Sequence, residues 1–221
     1  MSDQPFINVH THDAAEYSGV VRIFNFLAGE TTECPKNNYY SVGLHPWFIE
    51  KHHHEDLMEK IAQWAKNKNC MAIGETGIDR RIKTPVTLQQ QIFEHHLNIA
   101  GELQKPLIIH NVKAHTVISQ MIKTSHFQLP VIFHGFNNNR QIAGELLNKG
   151  FYLSFGKALL NPKSNAAMIL KTFPADRFFL ENDDSEFDIS TIYEMAASLR
   201  NQSTEELKKI VTATFHTCFL P

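Results

Sequence analysis

The chain has 221 residues, 43% of them hydrophobic and 20% charged, with a formal charge of −2 at neutral pH. That length and apolar content suit a single domain, residues 1–221, with a substantial core. The charge excludes a global basic field, so a polyanion would have to be held by local groups and metal ions.

Short apolar runs alternate with helical spacing along the chain. Strands are predicted at residues 6–9, 20–25 and 39–44, then a helix over 57–64, a strand at 70–74 and a helix over 88–103. A strand at 106–110, a helix over 116–122, a strand at 130–133 and a helix over 142–147 follow. Gly150, after Leu147-Asn148-Lys149, stops that helix. The pattern closes with a strand at 151–154, a helix over 166–173, a strand at 177–180 and a helix over 207–219, the last capped by Ser203 with Glu206 three residues on. Strand-then-helix repetition with eight strands predicts an α/β fold, a (β/α)8 TIM-like barrel rather than a doubly wound sheet. Residues 28–38 show little helical pattern and the first two strands are close together, so the barrel is expected to be trimmed near the N-terminus, with one or two outer helices missing.

Cys34, Cys70 and Cys218 form no C-x-x-C pair, which suits a reducing cytoplasm better than a disulfide framework. Met1-Ser2-Asp3-Gln4 lacks the features of a signal peptide. No run approaches the roughly 20 apolar residues of a membrane span, so no membrane partner is expected.

The ends of the predicted strands carry chemistry. In order they present His10 and His12, His45, Glu75, His110, His134 and Asp183. A parallel barrel gathers its strand C-termini onto one face, where residues spread along the chain converge. Histidine and carboxylate are ligand types for zinc, manganese and similar hydrolytic ions. The H-x-H of Phe6-Ile7-Asn8-Val9-His10-Thr11-His12 ends an extended segment, so both imidazoles face one side. Glu75 sits in Ala72-Ile73-Gly74-Glu75-Thr76-Gly77, where glycines let the backbone crowd a site. His110 and His134 each end a fully apolar strand. One such residue means little; the ordered set predicts a metal site.

These blocks resemble the TatD family of metal-dependent deoxyribonucleases, within the amidohydrolase-like barrels. The matching segments are N-V-H-T-H, S-V-G-L-H-P-W, A-I-G-E-T-G-I-D, L-I-I-H, F-H-G-F and L-E-N-D, with Gln89 to Phe93 matching a Q-x-x-x-F helix. The resemblance implies a phosphodiesterase using a metal-activated water and two divalent ions, with zinc, manganese, magnesium and nickel all compatible. It implies His10, His12 and Asp183 as ligands of one ion, His110 and His134 of the second, and Glu75 as a bridge. Such ions lie about 3.5–4 Å apart and hold a phosphoryl oxygen while generating hydroxide near neutral pH. Asp183 is expected to take the water proton as general base, with Asp184 as its register alternative. His45 is expected beside the substrate phosphate.

Departures from the family pattern bear on the substrate. Asn8 stands where the family has aspartate before H-x-H, and Asn182 interrupts E-T-D. Arginine in H-x-R after the fifth strand is replaced by Asn111-Val112, leaving Lys113 as the nearest cation for substrate. Lys157, after the seventh strand, is expected to meet an anionic group, and Arg80 and Arg81 are placed to do likewise. The basic stretch after the last metal aspartate is replaced by Asp184-Ser185-Glu186-Phe187-Asp188, an acidic lip that repels polyanions. The motif set as a whole makes DNA or oligonucleotide ends the expected partners; the acidic lip favours the alternative of a small phosphoester, amide or lactone substrate, and a non-catalytic metal-bearing binding protein is the third. Oligomeric state is left open.

The remaining features read as structural. Cys70 is expected in the core. His52-His53-His54 reads as a solvated helix start. His95 and His96 read as surface and rim positions on an amphipathic helix. Trp47 is expected to pack, with base stacking as its alternative.

Overall fold

The computed structural model describes residues 4–29, 35, 38–51 and 54–220. Cys34, His52 and His53 lie outside the described residues. The strands are β1 (Phe6–Thr11), β2 (Val20–Leu27), β3 (Tyr40–Gly43), β4 (Cys70–Asp79), β5 (Leu107–Val112), β6 (Val131–Phe133), β7 (Tyr152–Phe155) and β8 (Phe178–Leu180). Their order in the sheet is the order of the sequence, and β1–β2, β3–β4, β4–β5 and β7–β8 pair in parallel. A parallel bridge between Thr11 and Asp183 joins the first strand to the end of the last. This is the topology of a (β/α)8 barrel. Among the described residues, none between β1 and β2 or between β2 and β3 is α-helical, which is the trimming expected near the start.

The helices are α1 (His54–Ala65), α2 (Val86–Glu102), α3 (His115–Thr124), α4 (Arg140–Asn148), α5 (Asn165–Leu170), α6 (Ile189–Arg200) and α7 (Thr204–Phe219). Among the described residues no helix is long and apolar enough to cross a membrane.

The chain divides into two compact units. One comprises Met1–Phe24 with Phe133–Pro221. Its helix α6 was not anticipated, although Ile189, Ile192, Tyr193, Ala196 and Ala197 are buried at helical spacing. Tyr193 latches α6 to β1: its hydroxyl accepts from Ile7 N at 3.1 Å and donates to Ile7 O at 3.0 Å. At the start of α7 the capping box is complete, with Glu206 N donating to Ser203 Oγ at 3.2 Å and Ser203 N donating to Glu206 Oε2 at 2.8 Å.

The other unit is Asn25–Ile132. Its β4 is buried at all ten positions, as expected of a parallel strand covered on both faces. Gly77 has a φ of +150°, and a Cβ added there would collide with the carbonyl oxygen of His110 on β5. A residue with a side chain would push β5 away, which explains the glycine two residues beyond Glu75. Cys70 is buried, as expected. His96 is a correction: it is fully buried, not at the rim. Its Nε2 accepts from Leu44 N at 3.0 Å and its Nδ1 donates to Ile92 O at 2.7 Å. Apolar surroundings hold its pKa down to about 4, against the opposing pull of the Ile92 carbonyl.

Candidate metal centre

In the first unit, β1 ends in His10-Thr11-His12 and β8 leads into Glu181-Asn182-Asp183. Backbone bonds interlock the two ends: Asp183 N donates to His10 O and His12 N donates to Asp183 O, each at 3.1 Å. Asp183 adopts a left-handed backbone, φ +54°, a conformation that aspartate tolerates better than most residues. Its Oδ1 lies 3.3 Å from His10 Nε2 and 3.4 Å from His12 Nε2. Candidate ligand atoms of His10, His12 and Asp183 all fall within 4.8 Å of one another. Burial raises the Asp183 carboxyl pKa, but the hydrogen bonds of His10 and His12 and the neighbouring His134 outweigh it and hold the group far below the usual carboxylate range.

His134 packs its ring 4.3 Å from that of His10, centroid to centroid. Its Nδ1 lies 3.5 Å from Oε1 of the fully buried Glu181, which also accepts from Gly135 N at 2.6 Å. Glu181 thus lies beside His134, a placement the sequence reading did not assign. The two asparagine departures answer each other: Asn8 Nδ2 donates to Asn182 Oδ1 at 2.7 Å, and Asn182 N donates to Asn8 Oδ1 at 3.2 Å. Lys157 donates to Asp184 Oδ1 at 2.8 Å. The anionic group it meets therefore belongs to the chain itself, and that hydrogen bond raises the lysine's pKa.

In the second unit, Glu75 is buried near the middle of β4. Asn25 grips it twice, donating from Nδ2 to Oε2 at 2.9 Å and accepting from Glu75 N at 3.0 Å. Glu75 Oε1 lies 2.8 Å from His110 Nδ1 and 3.2 Å from His45 Nε2, and the ligand atoms of His45, Glu75 and His110 all lie within 4.8 Å of one another. The hydrogen bonds assign tautomers. Trp47 N donates to His45 Nδ1 at 3.2 Å, so a neutral His45 carries its proton on Nε2 and faces the group as a donor. His110 Nε2 faces Asp79 Oδ2 at 3.4 Å. Donation there leaves His110 Nδ1 to accept from His45 Nε2 at 3.0 Å, beside the Glu75 carboxylate.

Asp79, the last residue of the G-E-T-G-I-D block, supports the group from behind. Besides His110 it accepts from Trp47 Nε1 at 2.9 Å and Arg81 N at 2.8 Å. Burial raises its pKa, but His110, Trp47 and Arg81 together bring it well below the usual range. The fully buried Gln89 fixes its backbone, accepting from Asp79 N at 2.7 Å and donating to Asp79 O at 3.1 Å. Trp47 is a further correction: it is 57% exposed rather than packed. Lys113, Arg80 and Arg81 are exposed beyond the ends of β4 and β5.

The donors present fit divalent cations. Each unit brings imidazole nitrogens and an ionisable carboxylate together, and Asp79 and Asn25 orient those of the second from behind.

Residues 23–220 match the family model for TatD-related DNases. An uncharacterized metal-dependent hydrolase of Haemophilus influenzae is 26% identical over 208 residues, covering 85% of this chain and 79% of the relative. The Escherichia coli K12 metal-dependent hydrolase YcfH is 28% identical over 200 residues, covering 83% and 74%. Among solved structures, the TatD homolog YjjV of Escherichia coli superposes with a TM-score of 0.84 at 22% identity, covering 98% of both chains. That likeness carries the barrel fold.

Proposed function

Because this chain belongs to the TatD-related DNase family of metal-dependent hydrolases, we propose that it is a phosphodiesterase acting on DNA ends or short oligonucleotides. The observation that carries this reading is the convergence, within each unit, of three metal-ligating side chains whose donor atoms lie within 4.8 Å of one another. In this reading His10, His12, Asp183, Glu75, His110 and His134 hold two divalent ions, with zinc, manganese, magnesium and nickel all acceptable to such nitrogen and oxygen donors. Bound cations of this kind polarise a phosphoryl oxygen and make water acidic near neutral pH.

The chain's own groups supply the rest. Asp183, held ionised, takes the proton of the attacking water as general base. Glu75 is fixed by Asn25 so that its carboxylate cannot swing away. His45 Nε2–H donates to a phosphate oxygen, and Lys113 attracts the next phosphate along the strand. The reading places the protein in the cytoplasm.

A second reading keeps the centre and shrinks the substrate to a small phosphoester. It is favoured by Asp184, which occupies Lys157, and by the acidic run to Asp188, which weakens attraction for a polyanion. The test is cleavage of an end-labelled single-stranded oligonucleotide with added manganese or magnesium, wild type beside Asp183→Asn. Metal-dependent shortening that the variant loses supports the nuclease. A metal-loaded wild type that leaves the oligonucleotide intact but hydrolyses a small phosphomonoester supports the second reading.

A further inference from the structure

We propose that Trp47 is a stacking platform for a nucleobase of the substrate, an assignment that rests on the phosphodiesterase reading above. Trp47 is the second residue of the 3-10 turn Pro46–Lys51 after β3, two residues beyond His45. A tryptophan of an ordinary core shows little surface, whereas this one is 57% exposed. It is nevertheless fixed. Its only polar atom, Nε1, points inward to Asp79 Oδ2 at 2.9 Å, and Asp79 is itself buried and held by Arg81 N. With the indole N–H satisfied inside, what remains for solvent is π surface.

The ring also borders the candidate metal group. Its centroid lies 4.9 Å from that of His45, with the planes at 87°, and 6.1 Å from that of His110. A nucleobase is one sugar ring away from its phosphate, so a phosphate that accepts from His45 Nε2 brings a base to the indole. Stacking on a fixed aromatic ring is sequence-tolerant, because every base offers a π face, and it costs little ordering. It also gives a chain with an acidic run at Asp184–Asp188 an uncharged means of gripping single-stranded ends.

The experiment compares wild type, Trp47→Ala and Trp47→Phe on two oligonucleotides, one ending in a normal nucleotide and one in an abasic nucleotide. In wild type the KM for the abasic end exceeds that for the normal end by about 10-fold or more, the range set by stacking on one aromatic side chain. Trp47→Ala brings the ratio close to one. Trp47→Phe, which keeps a π face and loses the N–H, retains most of it. If Phe behaves as Ala, the indole N–H to Asp79 is what matters and stacking is overturned. A wild-type ratio of one overturns it as well.

Fluorescence separates this proposal from the nuclease reading. Trp47 and the half-buried Trp64 are the chain's two tryptophans. Oligo(dT) should quench wild type strongly and Trp47→Phe weakly. Quenching without cleavage sinks the nuclease and leaves the stacking platform standing; cleavage without quenching does the reverse.

Discussion

Replacing His96 by glutamine should flatten the acid side of the stability profile. Burial is the dominant influence on His96, and with a folded pKa of about 4 against 6.5 it stays neutral in the fold where the unfolded chain is already protonated. Above pH 6.5 neither state binds the proton and the neutral ring's contribution is fully present. As pH falls from there toward 4, the unfolded chain holds one proton that the folded chain excludes, and stability is lost. The slope is about 1.4 kcal/mol per pH unit, so the residue alone removes about 3 kcal/mol across the window. Glutamine preserves both polar contacts, its Oε1 accepting from Leu44 N and its amide donating to Ile92 O, yet it does not titrate. Urea unfolding at intervals from pH 4 to 7.5 should find the two proteins within about 1 kcal/mol at the alkaline end. Toward pH 4 the wild type should lose stability faster by one proton's worth, while carboxylates shared by both proteins cancel in the comparison. Parallel profiles would refute the claim that the buried ring excludes the proton.

Two further substitutions probe how the site is supported. Asp79→Asn sets an amide donor among the N–H groups of His110 and Trp47 that Asp79 now accepts, and titration calorimetry with manganese should show affinity reduced about 10- to 100-fold; unchanged affinity means Asp79 does not govern the His110 tautomer. Gly77→Ala drives a Cβ into the His110 carbonyl at a positive φ and should cost about 2–4 kcal/mol in denaturant unfolding. An unaltered midpoint would show that β4 and β5 have room to separate.

The barrel was legible because a parallel strand covered on both faces is written as an apolar run, and the clearest of these runs end abruptly in a polar residue. Ile108-Ile109-His110 and Ile132-Phe133-His134 make that boundary visible without a structure. The family resemblance put Asp183 ahead of Asp184, and the structure sets Asp183 beside His10 and His12 and Asp184 against Lys157. Helix α6 went unseen although its apolar spacing is regular, because two of its buried positions are alanines that carry little hydrophobic contrast. What orients the site was mostly hidden. Asn25, Asp79 and Glu181 act through contacts between residues far apart in sequence; Gln89 stood in the matched Q-x-x-x-F block, but nothing local tied it to Asp79 ten residues before it. His96 and Trp47 failed in opposite directions for the same reason: an amphipathic side chain does not state which of its ends meets water.

The bridge between Thr11 and Asp183 also has a consequence for timing. The carboxamides that flank it, Asn8 and Asn182, are 174 positions apart, so the group of His10, His12 and Asp183 is among the most non-local features of the chain. A nascent polypeptide that has exposed its first two histidines to the cell cannot complete that group until residue 183 has cleared the ribosome and β8 has found β1. Any metal-dependent activity that relies on Asp183 is thus withheld from partly made chains, and a product truncated before β8 would carry His10 and His12 without the carboxylate that groups with them.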